Sequence, residues 1–116
     1  MLPSRRDSDA RMKRSVPQHD PAEVARLARE RKVVATRRVI AWLINHDYDA
    51  AETMVEVLTS LKERGRWTGS TKLMNGEVAD EYVVTCRDQD WYVKFYVDGD
   101  QIVLNVWSCC WNGAVH

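Results

Sequence analysis

The hydrophobic positions change period near the middle of the chain. Between Pro21 and Gly65 apolar residues recur every three or four positions, and from Glu81 onward they alternate. Asp20-Pro21-Ala22-Glu23 predicts a helix start: Asp20 accepts orphan amide hydrogens, Pro21 suits the first helical position, and Glu23 can close a capping box. This helix runs to about Lys32 and buries Val24, Leu27 and Ala28. Val33-Val34-Ala35 reads as a link. Thr36 caps a second helix in which Val39, Ile40, Leu43 and Ile44 share a face. Asn45 to Tyr48 breaks that helix. Asp49, with Glu52 three residues on, opens a third, whose apolar side is Met54, Val55, Val57, Leu58 and Leu61 and whose end lies near Arg64-Gly65.

The alternating stretches Glu81–Arg87, Trp91–Val97 and Gln101–Ser108 predict strands, with turns at Arg87–Asp90 and Asp98–Asp100. Residues 66–78 leave room for one more short strand. The predicted fold class is α+β, with three N-terminal helices packed on a C-terminal antiparallel β-meander. Residues 1–19 are polar and basic, without apolar periodicity, and are expected to form a flexible tail or an arm that orders on a partner; residues 20–116 form a single domain. There is no internal repeat.

Composition changes this picture in three ways. At 116 residues and 45% hydrophobic, the chain can bury a core without disulfides or a metal. Formal net charge is zero, yet residues 1–41 carry 11 basic against 5 acidic residues and the remainder 6 against 12. That asymmetry suits a polyanionic partner on one face, and equally a solvated helix surface. Arg26, Arg29, Lys32, Arg37 and Arg38 are the residues of this candidate partner or phosphate-backbone surface. Three cysteines, two of them the vicinal Cys109-Cys110, outline no disulfide framework. Met1 to Arg6 leads into no apolar run of signal-peptide length and no transmembrane run follows, so a cytoplasmic protein without membrane contact is expected.

The order of short motifs resembles MqsR-type toxins of bacterial type II toxin–antitoxin systems over about residues 13–108. It begins with Lys13-Arg14 and Pro17-Gln18-His19, and continues through the Glu23-to-Lys32 helix into Val34-Ala35-Thr36-Arg37-Arg38. Asp47-Tyr48-Asp49 follows, then Met54 with Val57 and Leu61. Trp67-Thr68-Gly69-Ser70, Ala79-Asp80-Glu81-Tyr82, Tyr92-Val93-Lys94 and Ile102-to-Trp107 take the places of the later family motifs. The resemblance implies a RelE-like fold, messenger-RNA cleavage with or without the ribosome, and a cognate antitoxin protein. It also exposes departures. Gly69 stands where the family has a catalytic Lys, Ala79 where it has Gln, and Trp107 where it has a closing Lys, while Tyr92 is kept.

Metal-free RNA cleavage uses the ribose 2′-hydroxyl as nucleophile and needs a proton acceptor, cations or donors for the phosphorane oxygens, and an acid for the leaving oxygen. A Tyr-x-Lys strand puts Tyr92 and Lys94 on one face, with Trp91, Val93 and Phe95 on the other. Tyr92 and Lys94 are therefore the candidate catalytic pair, although an ordinary wet sheet face shows the same alternation. Lys72 can return the missing cation, and His116 has an imidazole suited to base chemistry. Arg66, Ser70 and Tyr82 are candidate RNA contacts, and Trp67 and Trp107 candidate stacking platforms. Cys86, Cys109, Cys110 and His116 include the donor types of a zinc site, but adjacent cysteines cannot readily face one tetrahedral ion, so no metal or other cofactor is expected. No Gly-rich phosphate loop, catalytic carboxylate pair or nucleophile elbow is present. Alternatives to a nuclease are an RNA- or protein-binding module of the same fold and a metal-stabilised interaction domain.

Overall fold

Side-chain caps open the first three helices. In a computed structural model that describes residues 10–114, Asp20 accepts from the Ala22 amide at the start of α1 (Pro21–Arg29), Thr36 from Val39 at α2 (Arg37–Asn45), and Asp49 from Glu52 at α3 (Ala50–Thr59). Glu23 completes no capping box; its carboxylate turns to Arg26. The third predicted helix breaks at Ser60 and ends in the short α4 (Leu61–Arg64).

The strands are β1 (Ala10–Met12), β2 (Val33–Ala35), β3 (Gly65–Lys72), β4 (Val78–Cys86), β5 (Gln89–Asp98) and β6 (Val103–Trp111). They form one sheet in the order β1-β3-β4-β5-β6-β2. All pairings are antiparallel except β2 with β6, so the segment read as a link at Val33–Ala35 is a parallel edge strand. Arg87 and Asp88 both adopt positive φ and make a two-residue turn between Cys86 and Gln89, which fixes the β4–β5 register. Bulges at Thr68 in β3 and Trp107 in β6 shift the flanking pairings.

The reading of residues 1–19 as a tail fails at residues 10–12 and 18–19, which are tied to the sheet, and residues 1–9 lie outside the described residues. Ala10, Arg11 and Met12 pair with Lys72, Thr71 and Ser70. Asp80, fully buried, accepts the amides of Gln18 and His19 at 2.9 and 2.8 Å and the Ser70 hydroxyl at 2.6 Å. Apolar periodicity cannot report a segment held this way by backbone and carboxylate.

The helices cover one face of the sheet. Val24, Leu27, Val39, Leu43, Val57, Leu58 and Leu61 meet Val84, Trp91, Val93, Phe95, Leu104 and Val106 in the main core. Each such side chain contributes roughly 1.5–3 kcal/mol on burial. Trp42, His46, Tyr48, Trp91 and Trp111 close one end as an aromatic cluster, with His46 stacked on Trp42 at 3.9 Å. The opposite face of the sheet carries no helix among the described residues. There, Leu73, Ala79, Tyr96 and Trp107 form a second, smaller apolar group. Among the described residues no helix is long and apolar enough to cross a membrane.

Candidate active site on the open sheet face

Alternation puts Tyr92 and Lys94 on the helix-free face, as their residue types predict, because Trp91, Val93 and Phe95 between and beside them are fully buried in the core. Two cross-strand rows result. Arg66, Val83, Tyr92 and Cys110 are successive partners across β3–β6, and Gly69, Glu81, Lys94 and Ser108 form the neighbouring row. At a strand spacing of about 4.8 Å, Arg66 and Tyr92 have backbones roughly 10 Å apart.

Glu81 is the hub. Its carboxylate accepts from the Tyr92 hydroxyl at 2.9 Å, from Arg11 Nη1 at 2.9 Å and from the Thr71 hydroxyl. Arg11 reaches it from β1, where its Cα pairs with Thr71, and its Nη2 also donates to the Thr68 carbonyl at 2.8 Å. Burial alone would raise the Glu81 pKa, but the hydrogen bonds from Thr71 and Tyr92 and the Arg11 charge outweigh it and hold the carboxyl below its ordinary range. Tyr92 moves oppositely: burial, then the Glu81 charge, push its phenol well above the usual range, so it stays protonated. Its one proton is committed to Glu81, which leaves the oxygen lone pair as an acceptor toward the open face.

Because the folded pKa of Glu81 is depressed, its stabilising contribution is fully present above the unfolded value of roughly 4.3 and disappears as pH falls through the lower folded value. The melting-temperature gap between wild type and Glu81→Gln should therefore be constant at neutral pH and narrow below about pH 4. A gap that widens with acid would contradict the depressed pKa.

Several expected residues lie elsewhere. Tyr82 is 3% exposed and stacks on Phe95 in the core, where burial and then the charges of Asp80 and Asp20 push its pKa up to about 12; it cannot contact RNA. Ser70 is wholly buried against Asp80 and is not a phosphate ligand. Trp67, the cross-strand partner of Tyr82, is half-buried against the main core, on the other face from Tyr92 and Lys94. Lys72 follows Thr71, which points at Glu81, so Lys72 projects from the other face and does not join the pair. His116 lies outside the described residues. Arg66 is exposed on the open face, and Trp107 is half-buried there beside Tyr96.

The basic helix surface is partly neutralised. Arg26 pairs with Glu23 and Glu30, and Lys32 with Glu30. Arg29 lines a pocket with Lys62 and Glu63, while Arg37 and Arg38 are exposed on the first turn of α2. Among the described residues no group of three His, Cys, Asp or Glu side chains is placed to hold a metal ion. Cys86, Cys109 and Cys110 are buried free thiols, and burial raises the pKa of each.

Sequence reasoning missed Glu81, Thr71 and Arg11. Glu81 shares the alternation of Val83 and Thr85, and the register that sets it opposite Lys94 depends on the two-residue turn at Arg87-Asp88. Comparison with known protein families, with curated proteins and with solved structures gives no match to this chain.

Proposed function

We propose that this chain is the toxin component of a toxin–antitoxin pair, an endoribonuclease that cleaves single-stranded messenger RNA on the open face of a RelE-like sheet, and that a cognate antitoxin is its protein partner. The observation that carries the reading is the Tyr92–Glu81 hydrogen bond, 2.9 Å long, on a face that carries no helix among the described residues, with Lys94 directly opposite Glu81. In the reaction the ribose 2′-oxygen bonds to phosphorus while the bond from phosphorus to the next 5′-oxygen breaks. The 2′-hydroxyl proton passes to the Tyr92 oxygen as the phenol proton passes to Glu81. The Lys94 ammonium protonates the departing 5′-oxygen, and Arg66 offsets the charge that develops on the phosphorane. The products are a 2′,3′-cyclic phosphate and a 5′-hydroxyl end. Trp107 offers a face on which a flanking base can stack.

Purified protein should produce RNA fragments with those ends, and expression without the antitoxin should arrest growth. Tyr92→Phe, which keeps the ring but breaks the relay, and Lys94→Ala should each lower the cleavage rate by roughly 100-fold or more. Cleavage at the wild-type rate by both variants would remove this site.

One observation favours a second reading, RNA binding without cleavage. Ala79 and Trp107, where the resemblance implies polar catalytic side chains, belong to an apolar group with Leu73 and Tyr96. Such a surface stacks bases but moves no protons. Wild-type protein that binds an RNA oligonucleotide and leaves it intact would decide for it.

A further inference from the structure

We infer that Arg11, delivered by the N-terminal strand β1, is a further phosphate-binding cation of the open face; the inference rests on the nuclease reading above and names how its substrate is held. Three features of the structure carry it. The guanidinium lies over Gly69, in the row of Glu81 and Lys94. A Cβ at position 69 would collide with that guanidinium, and the φ of 152° there also favours glycine, so β3 leaves the space that Arg11 fills. Arg11 Nη1 and Nη2 are engaged by Glu81 and the Thr68 carbonyl, yet the side chain is 59% exposed against 9% for Glu81.

Electrostatics gives Arg11 its task. A phosphate brought to the Tyr92 oxygen arrives beside an ionised carboxylate, and two anions that close repel. Arg11 is a cation bonded to that carboxylate, and its side chain, largely exposed, has further N–H donors. A guanidinium can hold a carboxylate along one edge and a phosphate along another, which an ammonium point charge does less well. The strand that brings it is tied down by its pairing with β3 and by Asp80 at Gln18 and His19. The site therefore includes a segment far in sequence from its other members.

The test uses full-length protein and a single-stranded RNA oligonucleotide methylated on its 2′-oxygens, which can bind but not react. Affinity is measured across a salt series for wild type, Arg11→Gln and Arg11→Lys. Gln removes the charge from a strand that its backbone pairing with β3 still holds, while Lys keeps the charge. Arg11→Gln should bind about tenfold more weakly, and its plot of log affinity against log salt should lose about 0.7 of slope, the share of one phosphate contact on a single strand. Arg11→Lys should recover that slope. Wild-type affinity and slope in Arg11→Gln, or equal losses in both variants, would overturn the assignment. Wild type that binds the methylated strand but leaves unmethylated RNA whole would reject the nuclease reading while the salt series still supports Arg11. Wild type that binds neither strand would reject both.

Discussion

Glu81→Gln is expected to slow RNA cleavage by roughly 10²–10⁴-fold, the usual worth of a positioned proton acceptor. The substitution preserves size and leaves a carbonyl oxygen for Thr71 or Arg11, but an amide cannot take the proton that Tyr92 releases. The loss should appear in kcat more than in KM, because the proposed substrate contacts are Arg11, Arg66 and Lys94. The pH profile supplies the sharper distinction. Wild-type rate should fall on the acid side as Glu81 protonates, below the ordinary carboxylate range, whereas the residual rate of the Gln variant should lack that limb. Stability should fall by about 1–3 kcal/mol, since one charge-assisted acceptor is removed from a buried cluster. A variant that melts lower but cleaves at the wild-type rate would make Glu81 a structural hub only.

Asp80→Ala is expected to be the most damaging exchange of a polar side chain for stability, about 3 kcal/mol, or on the order of 10 °C in melting temperature. Asp80 is wholly buried and accepts from two backbone amides and the Ser70 hydroxyl. Alanine leaves Ser70, itself wholly buried, without its acceptor, while the Gln18 and His19 amides can recover water only if their segment lifts. Amide hydrogen exchange at Gln18 and His19 should therefore accelerate more than in the helices. Ser70→Ala, which removes one donor and leaves the segment tied, should cost about 1 kcal/mol. A melting temperature for Asp80→Ala within 2 °C of wild type would show that Asp80 does not hold the segment.

The candidate site was half legible. Tyr92 and Lys94 could be placed on one face because a strand has a period of two and because Trp91, Val93 and Phe95 mark the buried side. The same rule, applied to Thr71 and Lys72, puts Lys72 on the other face, but two glycines and the bulge at Thr68 hide the alternation of Gly65–Lys72. Glu81 was hidden by register. A turn spread over Arg87–Asp90 pairs Cys86 with Trp91 and puts Glu81 opposite Tyr96, roughly 7 Å along the strand from its true partner Lys94. Two positive-φ residues of ordinary type, Arg87 and Asp88, carry the tight turn without the glycine that would signal it. Tyr82 and Ser70 were misread because a polar side chain in a strand looks the same whether it faces water, an aromatic core as Tyr82 does, or a buried carboxylate as Ser70 does.

By itself the sequence determined what local physics fixes: three helix caps, the apolar stripes of α1 to α3, the alternation of β4 and β5, and thus the α+β class. Tertiary structure alone decided what depends on chain segments meeting across long separations. Asp80 binding Gln18 and His19, Arg11 reaching Glu81, and β2 lying parallel beside β6 each join residues some 60 to 70 positions apart. Periodicity reports which side of an element is buried, and that follows from a few neighbouring residues. Which carboxylate a given cation meets follows from register and strand order, and those are settled only when the whole sheet is assembled.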